Sequence, residues 1–236
     1  MAEKTLEEMR QAVAEIREKM AAAAREAGRD PAAVQLCAAC KTRTAQTIAA
    51  SAALPIDVFG ENHVQELCAN YDAGAYCGKP SHFIGHLQTN KIKKVLGRAS
   101  LIQSVDSKHL LLAIEKEAAK AGIVQDILLE VNIGGEEAKS GFAPGDVFAA
   151  AEHALACPHV RVQGLMTIPP ADAARETNMR YFQEVRALYV DINTKLFHND
   201  FKYLSMGMSG DYEDAIRFGA TMVRVGSAIF GARHYT

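Results

Sequence analysis

The chain has 236 residues, of which 49% are hydrophobic and 23% are charged, a composition typical of a folded globular domain. Its formal net charge is −2, so no general basic field attracts it to nucleic acid or to a membrane surface. The first residues, MAEKTLEEMRQAVAEI, are charged and amphipathic, and no apolar run is long enough to span a membrane. We therefore expect a cytoplasmic protein that binds neither nucleic acid nor membrane.

The first predicted element is an amphipathic helix. Thr5 and Glu8 have the spacing of an N-terminal capping box, and Gly28 with Pro31 marks the end of the helix. Apolar residues recur at steps of three and four along it, which predicts one buried face: Leu6, Met9, Val13, Ile16 and Met20.

After this helix, short apolar runs alternate with longer helical patterns. The predicted strands are Val34–Cys40, Ile56–Gly60, Phe83–Leu87, Leu101–Val105, Ile127–Asn132, Val162–Thr167, Tyr203–Met206 and Met222–Ser227. The predicted helices between and after them cover about 44–53, 62–73, 89–97, 107–121, 145–156, 172–196 and 210–218.

This alternation predicts an α/β fold with parallel strands joined by right-handed crossovers. Eight such units in a chain of this length favour a (β/α)₈ TIM barrel with an extra N-terminal helix, forming one domain over 1–236. A doubly wound open sheet is the alternative. It usually carries a glycine-rich turn after its first strand, whereas this chain has KTRTA there.

Two groups of residues have ordinary structural interpretations. The five cysteines show no disulfide framework or zinc spacing, and we expect reduced thiols: Cys37, Cys40, Cys68, Cys77 and Cys157. A basic cluster on one predicted helix favours a solvated surface over a phosphate-backbone site: Lys91, Lys93, Lys94 and Arg98.

Catalytic and binding groups of such barrels lie at the C-terminal ends of the strands, and phosphate is often held after strands seven and eight. The segments SMGMSGD and RVGSAIFG follow those strands and contain small residues whose amides and hydroxyls suit an anion: Ser205, Gly207, Ser209, Gly210, Gly226 and Ser227. Arg224 lies two residues before Gly226, so it can face a phosphate or a ring nitrogen, or be an ordinary ion-paired arginine.

Lys41 ends the first apolar strand, across the predicted mouth from this phosphate site. Desolvation and a nearby cation such as Arg224 would both favour a neutral amine, which can form a Schiff base with a carbonyl. A phosphate-bearing aldehyde suits this arrangement. Pyridoxal 5′-phosphate (PLP) and a sugar phosphate in an aldolase both meet that description.

Six blocks of the sequence resemble the pyridoxal phosphate homeostasis proteins, whose barrel is similar to the N-terminal domain of alanine racemases. They are CKTRT, FGENHVQE, HFIGHLQTNKIK, LLEVNIGGEEAKSGF, GLMTIPP and LSMGMSGDYEDAIRFGATMVRVGSAIFGARHY. Together they extend from about residue 37 to residue 235. Glycine at position 210 departs from many members of the family, which carry an acidic or polar residue there.

The resemblance implies a fold-type III PLP barrel with the cofactor on Lys41 as a Schiff base. It implies phosphate binding by Ser205, Ser209, Gly226 and Ser227, and it places Arg224 at the pyridine nitrogen. It further implies a ring pocket formed by Asn62, His86, Met166 and Met206.

The resemblance also implies a PLP carrier in vitamin B6 homeostasis rather than an enzyme. The sequence ends at Thr236, soon after the eighth strand, so we expect neither the second domain of a racemase nor its opposing catalytic tyrosine. An arginine at the pyridine nitrogen would also make the ring a weaker electron sink. We expect a monomer with apo PLP enzymes as possible recipients. A weak PLP-dependent racemase and a cofactor-free Schiff-base aldolase remain alternatives.

Overall fold

The computed structural model describes residues 4–136 and 140–231, and in this part of the chain eight parallel strands close into a barrel in sequential order. Each strand pairs with its neighbours in the sequence, and β1 also pairs with β8, which closes the sheet. The strands are β1 Gln35–Ala39, β2 Val58–Glu61, β3 Ser81–Phe83, β4 Leu101–Val105, β5 Gln125–Val131, β6 Val160–Thr167, β7 Tyr203–Ser205 and β8 Met222–Val225.

Helices surround this barrel. They are α1 Leu6–Glu26, α2 Ala45–Ser51, α3 Val64–Asp72, α4 Ile92–Val95, α5 Lys108–Ala121, α6 Val147–Leu155, α7 Arg175–Leu196, α8 Tyr212–Arg217 and α9 Ser227–Phe230. The α/β barrel with an extra first helix is confirmed, and the open-sheet alternative is wrong because the sheet closes on itself.

Helix α1 shows why the sequence signals at its start are reliable. The Thr5 hydroxyl accepts a hydrogen bond from the Glu8 amide, and the Glu8 carboxylate accepts one from the Thr5 amide at 2.7 Å. The predicted apolar face is buried at Met9, Val13 and further along, and it packs against α8, α9 and α2. The helix therefore covers the seam where β8 meets β1.

The barrel has an outer and an inner core, because successive strand residues face opposite sides. Leu36 and Phe59 belong to the large outer core between the strands and the helices. Cys37, Val58 and Met222 form an apolar cluster inside the barrel. Polar side chains occupy the interior towards the mouth, and they decide what the site can do.

The third predicted strand is wrong in its bounds. The strand is Ser81–Phe83, not Phe83–Leu87, and the chain then turns across the barrel mouth. A Cβ atom at Gly85 would lie 2.0 Å from the Asn62 carbonyl oxygen, so only glycine allows the two loops to approach this closely. Of the apolar run that suggested a longer strand, Ile84 lines the cavity, and Phe83 and Leu87 are buried in the outer core.

Several other bounds shift by a few residues, and two of the differences change the type of secondary structure. Strand β8 ends at Val225, and Ser227 begins helix α9 with Gly226 as the residue before it. The predicted helix over 89–97 is a 3₁₀ turn, Thr89–Lys91, followed by the short α4.

The five cysteines are all free thiols: Cys37, Cys40, Cys68, Cys77 and Cys157. None of the helices in the described ranges has the length and apolar character needed to cross a membrane.

Candidate functional site

A cavity of about 270 Å³ opens at the C-terminal mouth of the barrel, between the ends of β1, β2, β7 and β8. Its walls contain six of the ten residues predicted for the site: Lys41, Asn62, Ser209, Arg224, Gly226 and Ser227. The remaining wall residues are Ala39, Arg43, Ile84, Ile168, Met208 and Gly210. The fold therefore brings the lysine from the first strand next to the loops after the last two.

Lys41 lies in a tight turn directly after β1. The Arg43 amide donates to the Cys40 carbonyl at 2.9 Å, which closes the turn around Lys41 and Thr42. Thr42 has φ of +65°, a conformation that is costly for a β-branched residue, and its amide donates to the Glu66 carboxylate at 3.3 Å. The Lys41 amine makes no hydrogen bond or ion pair with the described residues, so it is available to a ligand in the cavity.

The adjoining wall consists of the two loops predicted to hold phosphate. These loops lie beside Lys41, not across the mouth from it as predicted, because β8 pairs with β1 in the closed barrel. The Ser227 hydroxyl donates to the Ser209 hydroxyl at 3.2 Å, so residues from the two loops meet directly. The Gly207 carbonyl accepts from the Arg224 amide at 2.9 Å, which fixes the start of the β7 loop against β8. Gly207 has φ of +93° and lies so close to α8 that a Cβ atom would be 2.6 Å from that of Ala215.

Helix α7 holds the β7 loop from outside. The Asp211 carboxylate accepts from the Met208 amide at 2.6 Å and from the Asn178 side chain at 2.8 Å. Arg175 donates twice to the Asp214 carboxylate, at 2.7 and 2.9 Å, and the bonds to Arg175 hold the pKa of Asp214 below its usual value. Both contacts stabilise the loop that carries Ser209.

Arg224 is the buried cation beneath the cavity, with 4% of its surface exposed. Its guanidinium donates to the Ser205 hydroxyl at 2.6 Å and to the Thr167 carbonyl at 2.8 Å. Burial lowers the pKa of Arg224, and the nearby Cys37 and Glu130 oppose that shift. These two bonds fix the direction in which the remaining N–H groups point.

A chain of hydrogen bonds continues from Arg224 down through the barrel. Ser205 donates to the Gln103 side-chain oxygen at 2.6 Å, and the Gln103 amide nitrogen lies 2.9 Å from His82 Nδ1. Burial lowers the pKa of His82 to about 3, so its imidazole is neutral and Nδ1 can accept from Gln103. The chain therefore sets the position of Arg224 without adding a second charge.

Four of the predicted site residues lie outside the cavity wall. The Ser205 hydroxyl, predicted to bind phosphate, is fully buried and is bonded to Gln103 and Arg224. Because strand residues alternate, Ser205 faces inward and its neighbour Met206 faces the outer core, where Met206 is fully buried. Neither of these two side chains lines the cavity.

Met166 and His86 are the other two. Met166 packs against Leu101 and Leu128 inside the barrel and does not reach the cavity. The His86 ring is 63% exposed at the mouth, with Nδ1 3.1 Å from the Asp106 carboxylate. It lies beside the cavity rather than in its wall.

Two kinds of residue in the cavity wall were not predicted from the sequence. Arg43 is buried, donates to the Gly231 carbonyl at 2.7 Å and lies over the Phe230 ring, so it joins the β1 loop to α9. Its position in the CKTRT motif was the available signal. Ile84, Ile168 and Met208 form the apolar part of the wall, and their role depends on how the loops close over the mouth.

An unpaired primary amine therefore lies beside two hydroxyl-bearing loops in one cavity, with a fixed guanidinium beneath. This set of groups suits a ligand with a carbonyl carbon at one end and an anionic group at the other. A carbonyl would react with the amine, and the loops would hold the anion.

Comparison with known proteins agrees with this arrangement. Residues 11–234 match the family model of the alanine racemase N-terminal domain. A pyridoxal phosphate homeostasis protein of Aquifex aeolicus is 42% identical over 218 residues, which cover 92% of this chain and 95% of the relative. The protein of the same name from Escherichia coli K12 is 33% identical over 227 residues, or 95% of this chain and 96% of the relative.

Several solved structures have the same fold as this chain. An unknown protein from Bifidobacterium adolescentis superimposes with a TM-score of 0.90 at 37% identity, covering 95% of both chains. PipY from Synechococcus elongatus, solved with PLP bound, has a TM-score of 0.78 at 29% identity, covering 92% of this chain and all of PipY. Alanine racemase of Clostridium difficile shares the fold, with a TM-score of 0.72 at 14% identity over 94% of this chain and 57% of the racemase. The chain belongs to the pyridoxal phosphate homeostasis protein family, within the larger group of alanine racemase N-terminal domains.

Proposed function

We propose that this chain binds PLP reversibly, as a Schiff base on Lys41, and acts as a PLP carrier in vitamin B6 homeostasis with little or no turnover. The observation that carries the proposal is the unpaired Lys41 amine facing the Ser209 and Ser227 loops in one cavity. The name shared by the relatives and the PLP bound to PipY support the choice of ligand.

The residues of the cavity fit this cofactor. PLP brings an aldehyde for the amine, a phosphate for the loops and a pyridine ring that withdraws electrons. Lys41 would form the covalent link, and Ser209, Gly226 and Ser227 would hold the phosphate. Asn62 would lie beside the ring and Arg224 at its nitrogen. A Cβ atom at Gly226 would lie 3.1 Å from the Ala39 carbonyl oxygen, so this part of the wall has little space to spare.

Two features favour binding over catalysis. Arg224 keeps a positive charge next to the proposed ring position, which disfavours a protonated ring nitrogen and weakens the electron sink. Racemisation also needs an acid–base group on each face of the substrate. Within the described residues, no carboxylate or imidazole lines the cavity, so Lys41 is its one evident base.

The experiment that tests the proposal is a titration of cofactor-free protein with PLP, followed by absorption in the visible range. The wild type should develop a band that borohydride removes. Lys41→Ala should not develop it, and Lys41→Arg should serve as a control that keeps the charge. A band of equal strength in Lys41→Ala would contradict the covalent link.

The carrier role needs a separate measurement. The PLP-loaded protein should activate an apo PLP enzyme faster than the same amount of free PLP, and equal rates would contradict transfer. The enzyme alternative is tested by chiral analysis of amino acids after long incubation with the loaded protein. Turnover that disappears in Lys41→Ala would favour a weak racemase instead.

A further inference from the structure

The side of the mouth opposite the phosphate loops carries acidic groups. In the closed sequential barrel, β4 and β5 lie across from β8 and β1. Asp106 follows β4 directly, and Glu130 is the second-last residue of β5. The C-terminal ends of these strands therefore bring two carboxylates to the mouth, facing the side of Lys41 and Ser227.

Glu130 is an unusual carboxylate because it is buried without a partner. Only 8% of its surface is exposed, and its side chain makes no hydrogen bond or ion pair with the described residues. It faces the barrel interior, since Leu128 two residues earlier lies in the inner core and Met166, its register partner on β6, also does. Its oxygens are not among the fully enclosed unpartnered side-chain atoms of the described residues, so they keep some exposure. A charged carboxylate in so buried a position is stabilised when a cation binds it.

The surroundings of Glu130 define the charge of the site. Burial raises the pKa of Glu130 to about 7, the nearby Asp106 adds to this, and Arg224 and His86 oppose it. Asp106 is also mostly buried, with 10% of its side chain exposed, and it lies 3.1 Å from His86 Nδ1. The group that would relieve both carboxylates is a cation placed between them and the cavity.

The residues around Glu130 and Asp106 favour one kind of cation over others. No cluster of three or more metal-ligating side chains occurs in residues 4–136 and 140–231, so the arrangement does not suit a metal ion. A primary ammonium group has three N–H donors and a compact charge, which suits two carboxylates that approach from neighbouring strands. An amino acid is less suitable, because its own carboxylate would lie near Glu130.

We propose that Glu130 and Asp106 bind the ammonium group of an incoming primary alkylamine of the lysine side-chain type. This inference rests on the proposed function, because such an amine would take PLP from Lys41 by exchange. The ammonium would give one proton to a carboxylate, and its free amine would form the new C=N bond to the cofactor. Its two remaining amine protons would pass to the Lys41 nitrogen as the bond from that nitrogen to the cofactor breaks. The site holds the amine on the far side of the mouth from the phosphate loops. It would therefore select acceptors by charge before they reach the cofactor.

Binding to the cofactor-free protein is the first test. Saturation-transfer NMR with n-butylamine should show contact with the wild type, and 1-butanol, the uncharged match, should show much less. In Glu130→Gln the dissociation constant for n-butylamine should rise about tenfold, as for a lost bond between charged groups. Asp106→Asn should act in the same direction, and Glu152→Gln, an exposed carboxylate on α6, should behave as the wild type. Unchanged butylamine binding in both site variants would overturn the proposal.

Release from the PLP-loaded protein is the second test. Glu130→Gln should slow the release of PLP by n-butylamine, measured as cofactor that passes a protein-retaining filter, about tenfold, and should leave the release by hydroxylamine, which is uncharged at neutral pH, unchanged. Equal slowing with both nucleophiles would overturn the proposal. A larger effect with L-alanine than with n-butylamine would overturn the assignment to side-chain amines. If the wild type takes up no PLP, the proposed function fails, while the NMR comparison still decides the amine site.

Discussion

The polar chain from His82 to Arg224 inside the barrel and the polar residues at the mouth differ in how completely their side chains are hydrogen-bonded. In the interior, Gln103 joins His82 to Ser205, and Ser205 joins the chain to Arg224. At the mouth, Lys41 and Glu130 make no side-chain bonds to the described residues. Buried polar groups are normally paired. We therefore infer that the interior chain supports Arg224 and that the unpaired groups at the mouth bind ligands.

The two loops at the mouth also contain residues with positive φ. The turn that presents Lys41 keeps Thr42 at φ of +65°, and the loop after β7 contains Gly207 at +93°. Comparable strain at functional sites is kept only where the surrounding structure fixes it. Here the Glu66, Asp211 and Asp214 carboxylates hold the loops in place.

The largest effect is expected from breaking the interior chain. Gln103→Leu would leave the buried Ser205 O–H without its acceptor and His82 Nδ1 without a partner, while the bond from Arg224 to Ser205 remains, and should lower the free energy of unfolding by about 3 to 5 kcal/mol. Gln163→Leu is the matched control, since Gln163 is also buried but its side-chain oxygen already lacks a partner. Urea unfolding of both variants measures the difference. Equal losses would mean that the chain has no special role.

The side chain of Glu61 is only partly hydrogen-bonded, and it should make the free energy of unfolding depend on pH. It is fully buried against α3, where one oxygen accepts from Asn70 and Tyr76 and the other has no partner. Burial raises the pKa of Glu61 from 4.5 to about 7, so the folded state holds this proton more tightly than the unfolded state. The resulting stability is complete below pH 4.5 and is lost as the pH rises through 7.

The change Glu61→Gln should remove this dependence. Relative to the variant, the wild type should lose about 3 kcal/mol of unfolding free energy between pH 4.5 and pH 8. Chemical denaturation at a series of pH values measures it. Parallel pH profiles for the two proteins would show that Glu61 is already ionised in the folded state.

A smaller effect is expected at the mouth. Ser227→Ala removes one hydroxyl from the proposed phosphate site and should weaken PLP retention by about 1 to 2 kcal/mol, with little change in unfolding free energy. Ser100→Ala, at the other end of the barrel, should retain PLP as the wild type does. Equilibrium dialysis of PLP measures retention. A loss of stability in Ser227→Ala as large as the loss of PLP would assign the hydroxyl a structural role.

The smallest effect concerns the turn at Lys41. Thr42→Gly removes a β-branched side chain from a left-handed conformation and should stabilise the protein by up to about 1 kcal/mol. Thr47→Gly, inside α2, should instead destabilise it by a similar amount. Thermal unfolding compares the two. A destabilised Thr42→Gly would show that the Thr42 side chain supports the turn.

The fold was predictable because the signals were local. The capping box of Thr5 and Glu8 and the alternation of strands with helices gave the barrel, and the bounds of β4 match the prediction. Strand β3 was not predictable, because its end depends on the close approach of Gly85 to the β2 loop. An apolar run that leaves the sheet but stays buried has the same sequence pattern as a strand.

The site was predictable to the extent that strand ends and small loops indicate it. Lys41 and Ser227 lie where the barrel rule placed them, and alternation alone could have turned Ser205 inward and Met206 outward. The buried carboxylates Glu61 and Glu130 were not predictable. Their burial depends on residues from distant strands and helices, so nothing in the local sequence separates them from surface glutamates.

The central claim is that the unpaired lysine at the mouth is the residue that holds PLP. Borohydride reduction of the PLP-loaded protein, followed by peptide mapping with mass spectrometry, tests it most directly. We expect one added pyridoxyl phosphate group, on the peptide that contains Lys41, and none on that peptide when the protein is reduced before PLP is added. A label on another lysine, or none at all, would contradict it.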